Sequence, residues 1–107
     1  MEKVQRAVET FRKPYSCAQA VYAAFKDAGQ EKLEHLKANS GGRAEGGICG
    51  ALFAARLIVK ESDRSRLEAD FAATAGDTRC KELKTVCKTP CPMCVKIAAE
   101  LAEKYSG

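Results

Sequence analysis

A chain of 107 residues has room for one domain with its own core and is too short to hold two. Hydrophobic residues make up 46% and charged residues 30%, and the formal net charge of +4 is spread, with Lys and Arg interleaved among Asp and Glu; that pattern argues against a nucleic-acid partner. No stretch approaches the roughly 18 apolar residues of a bilayer span, and the first thirty residues lack the basic-then-apolar order of a signal peptide, so a cytoplasmic protein with no membrane partner is expected.

In chain order, almost every signal is helical. Val4, Ala7, Val8 and Phe11 share one face of a first helix, which Pro14 should end by disfavouring helical geometry at Lys13. Ser16, with Gln19 three residues on, has the spacing of a capping box. Cys17, Ala20, Val21, Ala24, Phe25 and Ala28 then recur at helical period until Gly29 closes the element. Residues 30–38 form a short, weakly amphipathic helix through Leu33 and Leu36. The glycine-rich segment 39–47 reads as a loop, because repeated glycine makes a helix costly in backbone entropy. Residues 48–59 are apolar nearly all round, as the central helix of a bundle would be. Ser62 or Asp63 caps a helix carrying Leu67, Phe71 and Ala75, which Gly76 terminates; Asp77 or Thr78 caps a helical turn containing Cys80 and Leu83. Pro90 and Pro92 punctuate the last loop, and Val95, Ala98, Ala99, Ala102 and Tyr105 mark the buried stripe of a closing helix. The expected fold is a single all-α domain over residues 1–107, a compact helical bundle of about five or six helices, cysteine-rich and without Trp.

Six cysteines in so short a chain carry the functional signal. In a reducing cytosol they point to catalytic, redox-sensing or metal-binding thiols rather than permanent bridges. Cys17, Cys49, Cys80 and Cys91 each fall within about one turn of an expected helix start, where free backbone N–H groups and the macrodipole favour a thiolate. The competing account is that a cysteine on an apolar stripe is simply a small, well-packed side chain.

Cys91-Pro-Met-Cys94 has the spacing of a dithiol redox pair, although the chain offers no βαβ unit and hence no thioredoxin fold. Cys87, Cys91 and Cys94 also match the three-cysteine spacing that holds an iron–sulfur cluster in radical enzymes, which need a barrel of about 200 residues that this chain lacks. A cluster without that chemistry, or zinc, held by Cys80, Cys87, Cys91 and Cys94, stays open as the alternative reading, with Cys17 or Cys49 as further candidates for a fourth thiolate. His35, among charged neighbours, reads as an exposed side chain. Arg43, Arg79 and Lys81 either favour nearby thiolates or are solvated surface charges, and Tyr15, Tyr22 and Tyr105 sit at the core edge. The glycines around Cys49 give another chain segment or a cofactor close access to the sulfur.

The succession Ser16-Cys17-Ala-Gln-Ala-Val, Gly46-Gly-Ile-Cys49-Gly-Ala-Leu, Arg79-Cys80-Lys-Glu-Leu and Cys91-Pro-x-x-Val95 resembles the C_GCAxxG_C_C family of small redox-active proteins over residues 15–102. The chain departs from the name's motif at Ile48, Gly50 and Phe53. The resemblance implies an α-helical domain whose Cys17, Cys49, Cys80 and Cys91, or Cys94 in place of the last, act in electron transfer or thiol–disulfide exchange. On this reading Cys91 attacks a partner's disulfide and Cys94, Cys17, Cys49 or Cys80 resolves it. A redox partner protein is expected, and a homodimer would help to bury the apolar central helix.

Overall fold

The computed structural model describes residues 2–11, 15–26, 29–40, 47–85, 89 and 91–106. It is all-α, with seven helices and no strand among the described residues. They are α1 (Glu2–Thr10), α2 (Cys17–Phe25), α3 (Gln30–Ala38), α4 (Gly50–Ile58), α5 (Arg64–Ala75), α6 (Cys80–Thr85) and α7 (Cys91–Ser106), with a 3-10 turn at Glu61–Asp63. The seventh helix beyond the expected five or six comes from segments too short to show a strong period, α3 and the six-residue α6.

Local chemistry accounts for most boundaries. In α1 the buried stripe narrows to Val4 and Ala7, with Phe11 packed against it; Val8 is 37% exposed, because one further residue turns the side chain about 100° from Ala7 to the rim of the face. The helix stops at Thr10, whose hydroxyl donates to the Arg6 carbonyl; Lys13 and Pro14 lie outside the described residues. The capping box of α2 forms as its spacing predicts, with Ser16 N–H donating to Gln19 Oε1 at 2.9 Å and Gln19 N–H to Ser16 Oγ at 3.4 Å. At its other end α2 stops at Phe25, earlier than expected, with Lys26 extended. Gly29, at φ −75° and ψ 174°, is the N-cap of α3 rather than the closure of α2; Ala28 lies outside the described residues. Gly76 does close α5, in the left-handed conformation at φ 110° that suits glycine. Asp77 then accepts hydrogen bonds from the Thr78 and Arg79 N–H groups at 2.7 and 2.9 Å, which also holds its carboxyl below the usual range. Most of the glycine segment, including Arg43, and Pro90 lie outside the described residues.

The core is built on α2, α4 and α7. These helices contact one another and bury Ala18, Ala24, Ala51, Ala54, Ala55, Ala98, Ala99 and Ala102, small side chains that let packed backbones approach closely. The central helix buries Gly50, Ala51, Leu52, Ala54, Ala55 and Ile58 and leaves Phe53, Arg56 and Leu57 half-buried. The three helices run parallel. Their C-terminal ends meet at one pole, where Phe25, Ile58 and Tyr105 line a common cavity, and their N-terminal ends meet at the other. Leu67 and Phe71 of α5 and Leu83 of α6 fill the remaining core without exposure. Tyr105 hydroxyl donates to Asp70, which Lys104 also approaches at 3.5 Å; together they tie α7 to α5 and lower the carboxyl's pKa.

Phe71 is the largest side chain with no exposed surface, so Phe71→Ala should destabilise the domain by about 3–5 kcal/mol in a urea titration.

A candidate dithiol site at three helix N-termini

Each of the four cysteines expected at a helix start is found there. Cys17 is the first residue of α2, Cys49 the N-cap of α4, Cys80 the first residue of α6 and Cys91 the first residue of α7. The described thiols differ in exposure: Cys17 is half-buried, whereas Cys49, Cys80 and Cys94 are buried, and none of the four is disulfide-bonded. Cys87 lies outside the described residues, as does the side chain of Cys91.

Packing brings these positions together. Cys94, one turn into α7, is hydrogen-bonded to Cys49 at the start of α4. This dithiol therefore joins two helices across the bundle; the Cys91–Cys94 pairing involves a side chain that is not described. Cys17 reaches the same place from α2. A Cβ added to Gly50 would lie 2.6 Å from Cys17 Sγ and 2.9 Å from Ser40 Cα, so only glycine at the residue after Cys49 leaves room for this sulfur. α2 thereby places a second sulfur against the glycine that follows Cys49. Ser40 supports that contact: its hydroxyl donates to the Leu36 carbonyl at 2.9 Å and shares a 2.8 Å hydrogen bond with the Ser16 hydroxyl beside Cys17. The role of Ser40 carries no sequence signal, because it depends on a partner 24 residues away.

Cys80 arrives by backbone pairing. Cys49 N–H donates to the Thr78 carbonyl at 2.8 Å, and Ile48 and Arg79 form an isolated antiparallel bridge, which carries the start of α6 to the same pole. Arg79 is exposed and engages Asp77, and Lys81 is exposed on α6, so both read as surface charge. His35 is exposed on α3, with its ring 5.9 Å from that of Phe53. The three tyrosines are half-buried, as expected for the core edge.

The electrostatics of Cys49 are set by two opposed effects. Its hydrogen bond to Cys94 and its burial push the thiol far above the ordinary cysteine range, since both favour the protonated form. The Ala51 and Leu52 N–H groups at the start of α4 pull the other way without forming a regular cap bond, and they do not prevail. Cys49 is therefore held in its protonated form within the pair. A thiolate at Cys94 would be stabilised by the hydrogen bond from Cys49 and lie in the first turn of α7.

No three Cys, His, Asp or Glu side chains converge to hold a metal among the described residues. The proposed ligand set of Cys80, Cys87, Cys91 and Cys94 contains two members whose side chains are not described. No helix is long and apolar enough to cross a membrane. Protein-family models, curated proteins and solved structures give no match to this chain.

Two outcomes are expected. Gly50→Ala should destabilise the fold by about 1–3 kcal/mol, because the Ser40 backbone must move as well as the Cys17 side chain, and Cys17→Ala should recover only part of that loss. With iodoacetamide near pH 8 and mass spectrometry as readout, Cys17 should be modified first and Cys49 last of these two, following exposure and the persistence of the Cys49 proton.

Proposed function

We propose that this protein carries reducing equivalents by thiol–disulfide exchange, with Cys49 and Cys94 as the dithiol that is oxidised and Cys17 as the thiol that meets the partner. The observation that carries this reading is the hydrogen-bonded Cys49–Cys94 pair with the Cys17 sulfur against the adjoining Gly50. The resemblance to the C_GCAxxG_C_C family points the same way, toward cysteine redox chemistry in a reducing compartment such as the cytoplasm. The partner is a protein bearing an accessible disulfide.

The exchange balances in three displacements. Cys17, as thiolate, attacks one sulfur of the partner's disulfide; the partner's S–S bond breaks, and its other sulfur leaves as a thiolate that takes a proton from water. Cys94, as thiolate, attacks Cys17 Sγ, forming a Cys17–Cys94 bond and displacing the partner's remaining sulfur as a thiolate that takes a proton from water. Cys49 then yields its proton to the departing Cys17 sulfur and closes the Cys49–Cys94 disulfide. The partner gains two electrons and two protons, and the protein loses them. Cys91 keeps an alternative entry role, since it occupies the first position of α7, the best-placed N-terminus for a thiolate on the same helix as Cys94.

Disulfide mapping of the anaerobically reduced protein after stoichiometric oxidation tests the assignment. The expected product is a Cys49–Cys94 bridge that reductant removes, absent in both Cys49→Ser and Cys94→Ser. Because it closes a loop of about 45 residues, the bridge should stabilise the oxidised form by up to roughly 4 kcal/mol relative to the reduced one. Oxidation that bridges other cysteines while leaving Cys49 and Cys94 as thiols would refute it.

A further inference from the structure

At the pole opposite the thiols, the C-terminal ends of α2, α4 and α7 and the first turn of α1 surround a cavity of about 290 Å³ lined by Lys3, Phe25, Lys26, Ile58, Lys60 and Tyr105. Three of its six lining residues are lysines, and no carboxylate among the described residues lines it. Lys3 Nζ stands 5.3 Å from the centroid of the Phe25 ring, so one ammonium is held over the cavity's aromatic wall. Asp70, which accepts from the Tyr105 hydroxyl, is also matched by Lys104.

Helix ends explain part of this charge. Lys26 and Lys60 follow the last residues of α2 and α4, where the macrodipole favours cations. Lys3 has no such reason, for it lies in the first turn of α1, where the dipole disfavours a cation. Magnitudes decide the sign of the pocket: three full positive charges face about half a negative charge from each of three helix C-termini, which leaves a clear positive excess. The size matches the lower end of small-molecule sites, about 300 Å³. Lysine ammoniums, with three donors each and no planar fork, act as compact point charges, a mode in which lysine commonly binds phosphate.

We propose that this pocket binds a small, multiply charged anion of the diphosphate class, with its charge among Lys3, Lys26 and Lys60 and any apolar portion on Phe25 and Ile58. The site is independent of the thiol chemistry and stands whether or not Cys49 and Cys94 exchange disulfides. The test is calorimetric titration of the reduced protein with inorganic pyrophosphate at about 50 mM salt, where surface charges are incompletely screened. Saturable binding is expected, weakened at least tenfold by Lys3→Gln with Lys60→Gln and unchanged by Lys32→Gln with Lys96→Gln, which removes the same charge from exposed positions outside the cavity. Lys26→Gln, a single change at an exposed residue outside the helices, supplies a second variant and should weaken binding at least threefold. Absence of saturable binding, or an equal loss in the Lys32/Lys96 control, would overturn the proposal, since either result reduces the pocket to diffuse surface charge.

Discussion

The parallel alignment of α2, α4 and α7 is the constraint on which the rest of the molecule depends. Side-by-side parallel dipoles repel weakly, and the arrangement holds because alanine seams let the three backbones pack closely and bury a continuous apolar surface. That alignment gathers three N-termini at one pole. Gly50 completes the gathering, since any Cβ there would occupy the space of the Cys17 sulfur. A helix hairpin would have sent neighbouring N-termini to opposite poles and separated Cys17 from Cys49. The intervening elements make the parallel order possible: α3 returns the chain between α2 and α4, and α5 with α6 returns it between α4 and α7.

Burial and helix-end electrostatics compete at the thiol pole, and their balance shapes the chemistry. Helix starts favour thiolate, which on its own would make every one of these cysteines reactive. Burial and mutual hydrogen bonding reverse that at Cys49. The Cys49 proton is thus held where a neighbouring sulfur can receive it. Half-exposed Cys17 supplies the accessible thiol that a buried pair lacks. The opposite pole shows the same geometry with the charges inverted, as lysines collect where three C-termini converge.

Much of the fold was legible because its signals are local. The Ser16–Gln19 capping box, the glycine closure at Gly76 and the Val95–Tyr105 stripe each lie within a few residues, and each forms as read; the cap expected from Asp77 or Thr78 does not, since Arg79 is the residue that flanks α6 and Asp77 binds the Thr78 and Arg79 N–H groups before it. The readings that shifted depend on where a segment packs. Val8 shares a face with Val4 by period, yet α1 buries too narrow a stripe to cover it. Gly29 carries a closing signal but adopts a conformation open to any residue and caps the next helix instead.

For the site, the chain alone determined which cysteines stand at helix starts, because capping and periodicity are local properties that place Cys17, Cys49, Cys80 and Cys91 without knowledge of the bundle. It also marked Cys94 through its spacing from Cys91. Tertiary structure alone decided which sulfurs meet, because contacts between Cys49 and Cys94 and between Cys17 and Gly50 depend on the relative direction and register of three helices, set by packing between residues dozens of positions apart. The lysine pocket was invisible for the same reason: Lys3, Lys26 and Lys60 are scattered surface charges along the chain, and only the parallel helices bring them around one cavity.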